Sequence, residues 1–279
     1  MNQFAHISKF EITASRTTSG KTFIEDSFFT SPFKIMKPFA RDDGSISVFL
    51  QSASPGILEG DSQIHKIKVN KGAGLEIKSQ SFEKIFKMDQ GKSAERKITA
   101  ELASDASLIY RPLPCIPFSQ SNFSSITEIR LADNSRLIYE DCICAGRCAH
   151  GELFDFTRYK NLIKIYREDK LIFRDNLFLE GSDGNARPER KVLLQGKTMF
   201  GNFTHCGGML IFGYSKITSL KKIRTSLGLE EKLLYTEAYR QGDILVDASE
   251  KDGGDFIIRC LANSAEKVQK LFESVRNNL

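Results

Sequence analysis

Hydrophobicity along this chain repeats with a period of two, in short runs separated by turn-forming residues, and no other feature restricts the fold as much. Successive side chains of an extended strand point to opposite faces, so an alternating run buries one face and wets the other. Ile46, Val48 and Leu50 alternate with Ser45, Ser47 and Phe49, and His65, Ile67 and Val69 alternate with lysines. Leu75 and Ile77 follow a Gly72-Ala73-Gly74 turn, and the pattern returns at Ile98, Ala100 and Leu102 and at Phe256, Ile258 and Cys260. Pro55-Gly56, Asp133-Asn134, Glu168-Asp169 and Asp252-Gly253-Gly254 punctuate the runs. Short alternating strands with frequent turn signals predict stacked antiparallel sheets rather than βαβ units. No internal repeat of fixed period is visible. Residues 161–180 read as a hairpin turning at Arg167-Glu168-Asp169-Lys170.

Two segments near the C-terminus break the alternation. Ile217, Leu220, Ile223 and Leu227 recur at helical spacing and end at Gly228, which suits a helix stop. Ser264 can cap a terminal helix with Val268, Leu271, Phe272 and Val275 on one face. The polar Gly181-Ser182-Asp183-Gly184-Asn185-Ala186-Arg187-Pro188 stretch reads as a flexible loop, with no composition shift to mark a domain boundary. The expectation is one domain spanning residues 1–279, all-β, with layered or helically wound sheets and two C-terminal helices.

Composition narrows the setting. A formal charge of +5, from 40 basic and 35 acidic residues, is small and dispersed, which argues against nucleic acid as a partner. The basic run from Lys216 to Arg224 reads as the wet face of a helix. No apolar run approaches the roughly 20 residues needed to span a bilayer, and the start lacks the pattern of a secretory signal. Six cysteines in such a chain are expected to be reduced thiols, and the cytoplasm is the expected location.

No phosphate loop, nucleophile elbow or dinucleotide-binding glycine motif is present, so the sequence carries no enzyme signature. His6, His65, His150 and His205 are far apart, and a lone histidine on a β framework is expected to be a hydrogen-bonded structural group. Cys142, Cys144, Cys148 and His150 form the one dense cluster of metal-binding residue types. Cys142 and Cys144 share a strand face and could reach one soft ion, with Cys148 and His150 completing a tetrahedral set. Alternatively, the two strand cysteines are small apolar residues of a core. Carboxylates beside turns are the second class: Asp61 on a glycine-flanked loop, Asp141 at the end of the strand Leu137-Ile138-Tyr139-Glu140, and Glu152 just past Arg147. Each reads as a solvated loop group, although oxygen ligands spaced along a passage could hand on a divalent cation by weak coordination.

Several segments, in order along the chain, resemble the UreD/UreH family of urease accessory proteins, and are closest to the Helicobacter-type UreH. Phe28 through Phe39 is similar to the family's N-terminal pattern, and Pro55-Gly56-Ile57-Leu58-Glu59-Gly60-Asp61 resembles its Pro-Gly-x-x-x-Gly-Asp loop. Ser79-Gln80-Ser81-Phe82-Glu83-Lys84-Ile85, Pro114-Cys115-Ile116-Pro117-Phe118 and Met199 to His205 resemble further family segments. Gly146-Arg147 with Gly151-Glu152-Leu153-Phe154 is similar to Gly-Arg-x-x-x-Gly-Glu-x-Phe, whereas the Cys-x-Cys before it departs from the family pattern. The resemblance implies a non-enzymatic maturation factor that binds the urease apoprotein with UreF and UreG, in a heterocomplex that can contain two copies of this chain. It implies no tightly bound cofactor, with nickel in transit through a tunnel. Asp61, Asp141 and Glu152 are then the relay or tunnel carboxylates, Ser79, Gln80 and Arg147 shape the same region, and the terminal helix and residues 202–206 face UreF.

Overall fold

The computed structural model describes residues 7–229, 239–241, 244–251 and 254–279. His6 and the Asp252-Gly253 part of one expected turn lie outside them. Among the described residues, seven strands make one sheet and twelve belong to a second, with three α-helices.

The chain winds between the two sheets. It passes from Ser62–Val69 in the seven-stranded sheet to Gly74–Ser79 in the larger one, crosses a short third side at Glu83–Ile85, and returns to the first sheet at Ala94–Leu102. Ser107–Arg111, Cys115–Pro117, Asn122–Leu131 and Arg136–Cys144 repeat the circuit, and Arg158–Arg167 closes it. Returns to the first sheet begin at Ser62, Ala94, Asn122 and Arg158, a structural repeat whose uneven loops conceal it in the sequence. Stacked coils run in one direction, so Ser62–Val69, Ala94–Leu102, Asn122–Leu131 and Arg158–Arg167 pair in parallel. This corrects the expectation of antiparallel sheets. Each sheet of the winding keeps one face toward water, so its parallel strands alternate as half-buried antiparallel strands do. Among the described residues antiparallel pairing lies at the flanks: Ile7–Arg16 with Thr22–Phe29, Phe33–Ile35 and Phe39–Ala40 with Ile46–Ser52, the hairpin Arg158–Arg167 with Lys170–Glu180, and the C-terminal strands from His205–Phe212 onward.

Three apolar clusters follow from this winding. The first fills the space between the sheets with Ile67, Val69, Ile98, Leu102, Leu108, Ile129, Leu137 and Ile163. A second lies at the third side, around Ile85, Phe123, Ile143, Phe154 and Phe200. The third joins the outer face of the C-terminal strands to the helices. Helix Leu220–Ser226 starts at Ser219, whose side chain accepts from the Lys222 amide, and Gly228 follows with φ 73°. Helix Ala265–Arg276 starts at Ser264, whose Oγ accepts from the Lys267 amide at 3.3 Å, and Arg276 pairs with Glu140 on the sheet beneath. Its apolar residues Val268, Phe272 and Val275 are buried against this protein's own strands, so they are not available to face a partner. The segment read as a flexible loop runs into a further helix, Pro188–Leu194, with proline in its first turn, where a missing N–H costs nothing.

The terminal helix sits close to the sheet because Gly207 lies under it: a Cβ there would come 2.7 Å from Val268 Cγ1 and 2.9 Å from Cys260 Sγ. Phe272→Ala is expected to lower the unfolding free energy by about 3–5 kcal/mol in urea denaturation, because it opens a cavity that strands on one side and helix on the other cannot close. Val192→Ala, at a position 69% exposed, is expected to leave it unchanged.

Candidate functional site

The inward phase of the strands is not uniformly apolar. Along Ala94–Leu102 the inward residues are Ala94, Arg96 and Ile98, and along Arg158–Arg167 they are Tyr159, Asn161 and Ile163. Asn122–Leu131 presents Phe123, then Ser125 and Thr127, then Ile129, and the facing Arg136–Cys144 presents Tyr139, Asp141 and Ile143. In each strand a polar residue lies between a member of the inter-sheet cluster and a member of the third-side cluster. A polar band therefore crosses the interior from coil to coil.

Arg96 anchors one end of the band. Its Nε and Nη2 donate to Gln63 Oε1 at 2.9 and 2.6 Å, its guanidinium pairs with Glu83, and it lies 5.5 Å from the centre of the Phe123 ring. His65 is 2% exposed, and among the described residues neither ring nitrogen has a hydrogen-bond partner, contrary to the expected structural role. Phe10 and Phe33 meet its ring edge-on. Burial, assisted by the Arg96 charge, holds its pKa well below the ordinary value, so the ring is neutral. Ser79 and Gln80 line a pocket of about 80 Å³ together with His65, Glu83, Arg96 and Tyr110. Ser79 Oγ also accepts from the Leu113 amide at 2.7 Å; Arg147, expected to shape the same region as Ser79 and Gln80, is not among the residues lining this pocket.

Asp141 lies at the other end, and it is in mid-strand rather than at a strand end or in a solvated loop. Its Oδ2 accepts from Asn161 Nδ2 at 2.8 Å. Gly208 is its register partner and also the partner of Arg259, and a Cβ at Gly208 would come 2.5 Å from both Asp141 Oδ1 and Arg259 Nη1. Glycine thus lets a carboxylate and a guanidinium approach across the strand between them. Arg259 also pairs with Asp175, whose side chain is 25% exposed, whereas Asn161 is buried. Burial pushes the Asp141 carboxyl up to about 6; Arg259 opposes the rise, and Asp175 adds to it. Although enclosed by these groups, Asp141 retains part of its accessible surface. Between the two ends stand Tyr139, Tyr159 and Cys115, the last with Sγ 3.5 Å from Glu83 Oε2. Asn161, Asp175 and Arg259 escaped the sequence reading. Asn161 and Arg259 were signalled there only as polar residues in an apolar phase.

The remaining expected residues are placed elsewhere. Asp61 Oδ2 accepts from the Leu58 amide at 2.8 Å, closing the glycine-flanked turn. Glu152 is paired with Arg147, accepts from Arg147 Nε at 2.8 Å and from the Ser119 amide at 3.3 Å, and has its pKa lowered by the Arg147 hydrogen bond. Arg147 also lies 4.4 Å from the Phe118 ring centre. Cys142 belongs to the cluster beneath the terminal helix, while Cys144 and Cys148 bring their sulfurs to 3.4 Å. His150 is exposed in the 3-10 turn Cys148–His150. The four do not converge as a ligand set, and among the described residues no three His, Cys, Asp or Glu side chains are placed to hold a metal ion.

The fold and band define a class: a β-solenoid with appended helices, whose interior carries a charged seam. Comparison with known proteins specifies the family. The family model for the UreD urease accessory protein matches residues 8–279. Urease accessory protein UreD of Acetivibrio thermocellus is 34% identical over 279 residues, covering 100% of this chain and 99% of its own length. UreH of Helicobacter hepaticus is 34% identical over 269 residues, 96% of each chain, and UreH of Helicobacter pylori strain J99 is 36% identical over 205 residues, 74% of each. The chain belongs to the UreD family of urease accessory proteins, which assigns it to urease maturation. Among the described residues no helix is long and apolar enough to cross a membrane.

The raised Asp141 pKa fixes a sign. Between its ordinary value of 3.8 and about 6 the folded protein holds a proton that the unfolded chain has lost, so this group's contribution to stability falls as pH rises through that window. Asp141→Asn removes that contribution. The unfolding free energy of the variant minus that of the wild type is expected to rise by on the order of 2 kcal/mol from pH 4 to pH 7. Urea titrations across that range measure it, and a pH-independent difference would refute the assignment.

Proposed function

We propose that this chain is a scaffold without turnover of its own, acting in the cytoplasm, which binds the urease apoprotein with UreF and UreG and lets nickel pass through its interior. Family membership supports the maturation role. The observation that carries the route is Asp141, enclosed between the sheets beside Asn161, Arg259 and Asp175 yet still partly accessible. A conduit must bind its cargo weakly enough to release it. A single carboxylate with amide and water oxygens meets that need, whereas a closed thiolate cage would retain the ion. Arg259 strengthens the argument, because a fixed positive charge beside Asp141 limits how tightly any divalent cation is held there. Glu83, Gln63, Ser79 and Gln80 continue the oxygen-bearing surface toward the pocket at the other end. Asp61 and Glu152 are secondary carboxylates in this reading, each engaged by protein donors.

Asp141→Asn keeps the shape and an acceptor for Asn161 while removing the charge. In cells carrying the complete urease operon it is expected to lower nickel per urease, and urease activity with it, by roughly tenfold. Pull-down of UreF and apo-urease by the variant is expected to be unchanged. Normal nickel content with assembly intact would remove Asp141 from the route.

A further inference from the structure

Cys144 ends the strand Arg136–Cys144, and the following turn brings Cys148 back beside it. Their sulfurs are 3.4 Å apart, and both lie near the Gly146 carbonyl oxygen, at 3.0 Å for Cys144 and 3.4 Å for Cys148. Gly146 makes the reversal possible: it has φ +140°, and a Cβ there would come 2.5 Å from the Glu152 carbonyl oxygen. The two thiols are not equivalent. Cys144 is buried and Cys148 is half-buried, so a reagent from solvent reaches Cys148 first. The hydrogen bond offered by the Cys144 thiol favours the Cys148 thiolate, bringing its pKa down to about 7, and the same contact raises that of Cys144. Among the described residues Cys115, Cys142, Cys206 and Cys260 make no sulfur–sulfur hydrogen bond, and burial raises all four thiols. Neither cysteine of the close pair belongs to the polar band around Arg96 and Asp141.

We propose that Cys144 and Cys148 form an oxidisable dithiol site whose co-substrate is a hydroperoxide. The Cys148 thiolate attacks the peroxide oxygen, a sulfur–oxygen bond forms and the oxygen–oxygen bond breaks; with hydrogen peroxide the leaving hydroxide takes up the proton released when the thiolate formed and departs as water. The Cys144 sulfur then attacks the Cys148 sulfenic sulfur. A disulfide forms as the sulfur–oxygen bond breaks, and the departing hydroxide takes the Cys144 proton as water. Two thiols supply two electrons, and one peroxide becomes two waters. The product ties the turn Cys148–His150 to the end of a central strand, in the loop where Arg147 holds Glu152. A half-exposed disulfide over so short a loop is of the reducible kind that a cytosolic thiol pool reopens.

The test uses the full-length protein and hydrogen peroxide near neutral pH. Titratable thiols are expected to fall from six to four, with a mass loss of two hydrogens that dithiothreitol reverses. Trypsin cuts after Arg136, Arg147 and Arg158, so a Cys144–Cys148 bond joins the peptides 137–147 and 148–158 under non-reducing conditions. Fragmentation distinguishes Cys144 from Cys142. In Cys144→Ser, oxidation is expected to stop at a Cys148 sulfenic acid that dimedone traps, and in Cys148→Ser the same dose is expected to leave Cys144 reduced. Six surviving thiols in the wild type, a bond mapped to Cys142, or undiminished oxidation of Cys148→Ser would each overturn the proposal.

Discussion

A guanidinium buried between two sheets dictates much of what stands around it. Arg96 is only 8% exposed, and leaving such a charge without partners would cost several kcal/mol. Its partners come from different parts of the winding: Gln63 from the preceding coil, Glu83 from the third side, and the Phe123 ring from the following coil. One side chain therefore couples three turns of the solenoid in register. The surrounding ionisable groups respond to the same burial, with His65 held neutral and Tyr110 pushed up to about 12.

The solenoid can carry a polar stripe because apolar material lies on both sides of it. Toward one end of the strands Ile67, Ala100, Ile129 and Ile165 stack in one row, and toward the other Ala94, Phe123 and Tyr159 do. Those clusters supply the burial that holds the sheets together, so the band between them is free to be chosen for chemistry. Outside the core a different device appears. Burial alone would raise the Glu76 carboxyl, yet Arg111 and Lys78 overcome it and pull the carboxyl down to about 2, which ties neighbouring strands of the larger sheet together.

Much of the architecture was legible in the chain. The hairpin turns at Glu168, which adopts φ 52°, and the terminal helix begins at Ser264 as expected, whereas the helix before it begins at Leu220 and leaves Ile217 outside. The family motifs led to the right family. The helix Pro188–Leu194 was not legible, because Val192 and Leu193 are exposed apolar residues that blur any amphipathic stripe. Of the expected relay carboxylates, Asp61 caps a turn and Glu152 is paired with Arg147, while Asp141 sits within the band; of the charged groups beside it, Arg259 was signalled only as a polar residue in an apolar phase and Asp175 gave no local signal.

The sequence by itself determined the faces: which residue of each strand points inward, where turns interrupt, and where helices are capped, because these depend on a few neighbouring residues. The tertiary structure alone decided that the central strands run parallel, that Gly208 lets Asp141 meet Arg259, and that Gln63, Glu83 and Phe123 converge on Arg96. Those contacts join residues from different coils, and a period of two is the same whether a strand runs up or down. The exception is the Cys144–Cys148 pair, which is local in sequence but needed the φ of Gly146 to bring the two sulfurs together.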